Sequence, residues 1–279
     1  MNVTRSLNPL RPDAALADCQ AIVCDLDGTL YLESGPINGA KEFLQRVLNS
    51  GRQLFYFTNN TSVSRQAWIN KLRAFGFPVE PSQLLTSGDC ADAYLRRHNL
   101  FPRIYLVGNA DLKKEFQARG YDCLDDQEAL QDFPQAILLS FDTELNYNKI
   151  HTCYDLILMD IPYIATHPDK LCPVTRGTFK PDVGSFISMF ETATGGVRPT
   201  IVGKPTKEAV RFMSEKSKLS PEKIAFIGDR LYTDIRMAAT SGMVGVLVLS
   251  GETTLDMLAE SIDQPAITIN SVADLIDYL

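Results

Sequence analysis

The chain has 279 residues, a formal net charge of −7 and 45% hydrophobic against 22% charged residues. That composition belongs to an ordinary folded protein, and 17 Gly with 15 Pro are too few for a disordered or low-complexity chain. The acidic balance argues against binding a nucleic acid polymer or an anionic membrane. The longest apolar stretch, Met243 to Leu249, is interrupted by a glycine, whereas a membrane span needs about 20 apolar residues. The first residues carry no apolar signal core, so secretion is not expected. Six cysteines without a C-x-x-C pair read as reduced thiols of a cytoplasmic protein. Three histidines lack zinc-site spacing.

Residues 1 to about 18 read as a loose arm. Ala21-Ile22-Val23-Cys24 is a short apolar run that enters Asp25 as a buried parallel strand would. A helix capped by Asn38 is predicted through Leu48, a strand over Leu54–Phe57, and a helix from Ser64 to Phe75. Further along, strands are predicted near 104–107, 136–140 and 163–166, with helices near 88–97, 110–119, 147–158 and 183–192. The first rhythm then returns: a strand at Thr200-Ile201-Val202, a helix from Thr206, a strand ending at Gly228-Asp229, a helix over Leu231–Ser241 and strands over 244–249 and 266–269. Strands alternating with amphipathic helices make β-α-β units and a parallel sheet. The predicted organisation is an α/β chain with a discontinuous Rossmann-like core, 1–85 plus 197–279, and an inserted α/β domain, 86–196.

Chemistry gathers at the strand ends, where open parallel sheets bind ligands. Asp25-Leu26-Asp27-Gly28-Thr29 follows the first strand, and its two carboxylates crowd each other unless a cation or a shared proton intervenes. Thr58-Asn59-Asn60 follows the second strand with hydroxyl and amide groups suited to phosphoryl oxygens. Lys204 supplies a positive charge after a third strand, and Asp229 ends a fourth, with Asp234 in the next helix. Three acids about one point call for a hard cation with oxygen ligands, and Mg²⁺ fits where phosphate is present. Neither G-x-x-x-x-G-K-[ST] nor G-x-G-x-x-G occurs, so nucleotide hydrolysis by a P-loop and dinucleotide binding lack support.

These motifs in this order resemble the haloacid-dehalogenase-like superfamily of aspartate-nucleophile phosphatases, and the position of the insertion resembles the class IIA (C2-type) cap. That subfamily holds 4-nitrophenyl phosphatase-like, pyridoxal phosphate, phosphoglycolate and nucleotide phosphatases. The resemblance implies that Asp25 is the nucleophile and that Asp27 is the general acid and base. It implies Mg²⁺ held by Asp25, the Asp27 carbonyl and Asp229, with Asp234 in support. Thr58, Asn59 and Asn60 would hold the phosphoryl group of a small phosphorylated metabolite, and Lys204 would balance its charge. Where the family commonly shows Ala-Thr-Asn-x-Asp, this chain has Ala165-Thr166-His167-Pro168-Asp169, which makes His167 and Asp169 candidates for cap selectivity. The cap segment Leu171-Cys172-Pro173-Val174-Thr175-Arg176-Gly177 matches no substrate pattern. A homodimer is one assembly open to the chain. Two rival functions share these residues: phosphoryl transfer to a sugar, and phosphometabolite binding without catalysis.

Overall fold

The computed structural model describes residues 11–174 and 178–279, so most of the expected arm and the segment 175–177 lie outside it. Two compact units emerge. The first gathers residues up to Thr58, Ile69–Leu85 and Val210–Leu279; the second gathers Asn59–Trp68 and Thr86–Ala209. The second unit is therefore wider than the expected insertion of 86–196.

The first unit is built on a six-stranded sheet in the order Ile267–Ile269, Val244–Val248, Ile224–Gly228, Ala21–Cys24, Gln53–Thr58, Leu84–Thr86. Ala21–Cys24 is buried along its whole length and pairs in parallel with a strand on each side, which is why it is an unbroken apolar run. Cys24 sits opposite Ile227 on one neighbour and Tyr56 on the other. Chain order reverses across this strand, so a crevice is expected beyond the carboxyl ends of it and its neighbours. Asp25, Thr58 and Asp229 follow or end those three strands.

The second unit has its own parallel sheet, in the order Thr200–Ile201, Tyr163–Ala165, Ala136–Leu139, Arg103–Val107, Asp122–Cys123. Its core includes Tyr105, Ile137, Leu139, Phe141, Leu156 and Phe190. Helices Ser87–Arg97, Ala110–Ala118 and Tyr147–Leu158 start at Thr86, Asn109 and Asn146, whose side chains each accept a backbone N–H of the first turn. Among the described residues, no helix is long and apolar enough to cross a membrane.

Four expectations need correcting. The strand at Thr200-Ile201 pairs with Tyr163–Ala165 and so belongs to the second sheet, not the first; two residues of alternating chemistry carry no signal of partner. Pro12–Leu16 is a short helix rather than arm, with Leu16 buried. The helix after residue 38 starts at Ala40, and its N-cap is Gly39 at φ 81°, not Asn38. The helix expected over Leu231–Ser241 opens as a π-helical turn, Leu231–Ile235, and becomes α-helical only at Arg236. Both Asp234 and Ile235 donate their backbone N–H to the Arg230 carbonyl, and the wider turn carries Asp234 at a different angle from a regular helix.

Candidate active site

In the first unit the strand ends bring three carboxylates together. One oxygen from each of Asp25, Asp229 and Asp234 lies within 4.8 Å of the other two. The Asp25 backbone N–H donates to the Ile227 carbonyl at 2.8 Å, which extends the strand pairing and sets Asp25 beside Gly228-Asp229. Asp234 is fully buried, and its Oδ2 accepts the Arg230 N–H at 3.2 Å. Asp229 is buried too. Its Oδ2 accepts the Glu252 N–H at 2.6 Å and its carbonyl accepts the Thr253 hydroxyl at 2.5 Å, while Oδ1 is buried with no hydrogen-bond partner.

An orphaned carboxylate oxygen is costly, and burial shows in the titration of Asp229. Desolvation first, then the charge of Asp234, push its carboxyl from 3.8 up to about 7. A divalent cation would relieve both causes, and an all-oxygen donor set of carboxylates suits a hard ion. The residues therefore fit a metal. Gly28 shapes the same place. It holds φ +83°, and a Cβ there would lie 2.3 Å from Asp229 Oδ2. Only a glycine admits the carboxylate that close.

Asp27 does not join this trio through its side chain. Its Oδ1 lies 4.0 Å from Lys71 Nζ, and its side chain is 40% exposed. Lys71 Nζ also stands 3.9 Å from the Tyr31 ring centroid. Thr58 is buried at the end of its strand.

In the second unit, Asn59 is committed at both ends of its amide. Its Oδ1 accepts the Lys204 N–H at 3.0 Å, and its Nδ2 donates to the Lys204 carbonyl at 3.1 Å and to Asp169 at 3.3 Å. The expected direct hold of the Asn59 side chain on a phosphoryl group is thus replaced by a hold on Lys204. Asn60 Oδ1 accepts both the backbone N–H and the hydroxyl of Ser62, and its Nδ2 donates to Cys172 Sγ at 3.7 Å. Lys204 is buried. His167 and Asp169 are buried as well, at 0% and 4% exposure.

Reasoning from residues missed several partners. Gly251, Glu252 and Thr253 follow the strand Val244–Val248, and the strand-end rule that found Asp25 would have found them. Lys71 lies inside the helix Arg65–Ala74, where a lysine carries no signal. Asp182 caps the helix Val183–Ala193, and a capping aspartate carries no signal of the His167 ring beside it. All six cysteines are free and five are buried.

Comparison with known proteins gives the family. A haloacid dehalogenase-like hydrolase model matches residues 22–122, and a HAD-hydrolase-like model matches 201–275. A glycerol-3-phosphate phosphatase of Gallus gallus is 31% identical, covering 95% of this chain and 94% of its own. Chronophin of Rattus norvegicus is 29% identical over 95% of this chain and 89% of its own. The crystal structure of 4-nitrophenylphosphatase from Thermotoga maritima superposes with a TM-score of 0.87 at 34% identity, covering 94% of this chain and 98% of that one. The chain belongs to the haloacid dehalogenase-like hydrolases, in the class IIA group of 4-nitrophenylphosphatase and NagD. It is a phosphoric monoester hydrolase, of a family that generally uses a divalent metal.

Proposed function

We propose that this enzyme is a Mg²⁺-dependent phosphatase that hydrolyses a small phosphorylated metabolite through an aspartyl-phosphate on Asp25. The observation that carries the proposal is the buried Asp25–Asp229–Asp234 cluster with its orphaned Asp229 oxygen. Asp25, Asp229 and the Asp27 carbonyl would hold Mg²⁺, with Asp234 at their side, and the ion would offset charge on the phosphoryl oxygens.

The Asp25 carboxylate attacks phosphorus, a new P–O bond forms, and the bond to the ester oxygen breaks. Asp27 gives its proton to the leaving alkoxide. It then takes a proton from the water that attacks the acyl phosphate, so Asp25 and inorganic phosphate are freed and Asp27 is reset. Its 40% exposure suits a group that exchanges protons with entering water. Thr58 and Asn60 hold phosphoryl oxygens. Lys204 balances their charge, and Asn59 orients Lys204. Residues of about 86–196 form the cap that limits water and selects the leaving group. Free, mostly buried thiols accord with a reducing cytoplasm.

Phosphate release from 4-nitrophenyl phosphate, followed with Mg²⁺ and after chelation, tests the reaction. A panel of phosphorylated alcohols and acids, glycerol 3-phosphate among them, then ranks substrates. Absence of metal-dependent release from every compound would overturn the proposal.

A further inference from the structure

Two central strands of the second sheet end on hydroxyl side chains. Ser140 follows the strand Ala136–Leu139 and donates its backbone N–H to the Val107 carbonyl at 2.8 Å. Thr166 follows Tyr163–Ala165 and donates its N–H to the Leu139 carbonyl at 2.9 Å. Each extends the ladder by one residue, so both side chains stand on paired backbone at adjacent strand ends. Thr61, two residues beyond Asn59, meets them there. Its Oγ1 accepts the Phe141 N–H at 3.2 Å and shares a hydrogen bond of 2.7 Å with Ser140 Oγ. Ser140 Oγ in turn shares one of 3.3 Å with Thr166 Oγ1. Thr61, Ser140 and Thr166 are 3%, 0% and 0% exposed, so bulk water cannot stand in for a hydroxyl that is lost.

These hydroxyls close a ring. Asn59 Oδ1 accepts the Lys204 N–H, and Asn59 Nδ2 donates to the Lys204 carbonyl. Gly203, joined to Lys204, donates its N–H to the Thr166 carbonyl at 2.7 Å. A Cβ on Gly203 would lie 2.4 Å from that carbonyl, so no side chain fits between the two segments. The circuit runs from Asn59 through Lys204, Gly203, Thr166, Ser140 and Thr61, then along the chain through Asn60 back to Asn59. Asn60 and Lys204 are both members. Asn60 is flanked on one side by the Asn59 amide, which grips Lys204, and on the other by the Thr61 hydroxyl, which grips Ser140. Without Ser140 Oγ the circuit is open on the Thr61 side.

We propose that Ser140 is a positioning residue for phosphoryl binding, and that its hydroxyl, through Thr61 and Thr166, sets the spacing between Asn60 and Lys204. The proposal rests on the reading above in which Asn60 and Lys204 serve the phosphoryl group. Ser140 itself need not touch substrate. Its effect should therefore appear in phosphate affinity, and it should depend on the hydroxyls rather than on the volume of the side chains.

The two threonines separate those causes. Val keeps the shape of Thr and loses the hydroxyl, whereas Ser keeps the hydroxyl and loses the methyl. The probe is inorganic phosphate, titrated calorimetrically into the full chain with Mg²⁺ present, beside KM and kcat for 4-nitrophenyl phosphate. Ser140→Ala, Thr61→Val and Thr166→Val should each weaken phosphate binding and raise KM by about threefold to tenfold, the range that one lost hydrogen bond gives. kcat should change less than KM. Thr61→Ser and Thr166→Ser should bind phosphate as the wild type does. Losses in Ser140→Ala and Thr61→Val should not add in the double variant, because either one opens the same ring.

Unchanged phosphate affinity in Ser140→Ala would overturn the proposal even in an active phosphatase. So would valine variants that bind normally beside serine variants that do not, since that pattern reports packing. Additive losses would refute the ring. Should Thr61→Val fail to fold, Ser140→Ala and the Thr166 pair still decide. The predicted pattern of phosphate affinities, in a protein that releases phosphate from no ester, would overturn the proposed function and uphold the positioning role.

Discussion

Replacing Asp229 by Asn separates the charge of the acid cluster from its shape. Asp229 is 3% exposed, and its carboxyl is pushed up to about 7 by burial and by Asp234. In the unfolded chain it titrates near 3.9. Between those values the folded state holds the extra proton, so this group's contribution is most favourable at low pH. It declines as pH rises through that window, and above it the buried charge must be carried in full. Three pK units correspond to about 4 kcal/mol as an upper bound, at about 1.36 kcal/mol each. An Asn carbonyl can still accept the Glu252 N–H, while its amide turns toward the Asp25 and Asp234 carboxylates. With divalent ions chelated at pH 8, Asp229→Asn should therefore be more stable than the wild type. About 2–4 °C per kcal/mol for a chain near this size makes that a rise of several degrees in Tm.

Added Mg²⁺ should close the gap. At a hundred times Kd a bound ligand stabilises the wild type by about 2.7 kcal/mol, and the variant, short of one charged ligand, should gain little. Thermal unfolding of both proteins, with chelator and with Mg²⁺, reads the two effects separately. A variant less stable than the wild type in chelator would mean that the Asp229 charge is compensated by the protein itself. An equal Mg²⁺ gain in both would refute the ligand assignment.

Other outcomes follow from the same geometry. Asp25→Asn should fold and bind metal weakly but show no turnover, read by phosphate release and by circular dichroism. Asp27→Asn should slow alkyl phosphates far more than 4-nitrophenyl phosphate, whose leaving group needs little protonation; equal losses would remove the acid role. Gly203→Ala should destabilise by about 1–3 kcal/mol through overpacking against the Thr166 carbonyl, seen as a lower Tm that Mg²⁺ does not restore. Asp169→Ala should lower activity evenly across a substrate panel, because Asp169 is buried on Asn59; a changed substrate ranking would return it to selectivity.

How much was legible depended on where the determining contact lay. The strand Ala21–Cys24 and its acid were plain in the sequence, because a strand buried on both faces must be uniformly apolar and a charge can follow only at its end. Asp229 was legible by the same rule. Thr200-Ile201 was placed in the wrong sheet, since a two-residue strand records neither its partner nor its register. The π-helical turn at Leu231–Ile235 has no periodic signature, so the approach of Asp234 to Asp25 could not be read from spacing. Asn59 was assigned to phosphate from its chemistry, which suits either a ligand or a backbone, and the fold spends it on Lys204. His167 was a lone loop histidine until Asp182, fifteen residues on, was found against its far nitrogen.

The central claim is a covalent intermediate on Asp25. Its most direct measurement is rapid acid quenching of the enzyme during turnover of a substrate with a labelled phosphoryl group, followed by peptide mapping. Label on the peptide containing Asp25, removed by mild base as an acyl phosphate and absent from Asp25→Asn, is the predicted result. Label on another residue, or full turnover with inversion at phosphorus and no labelled protein, would contradict it.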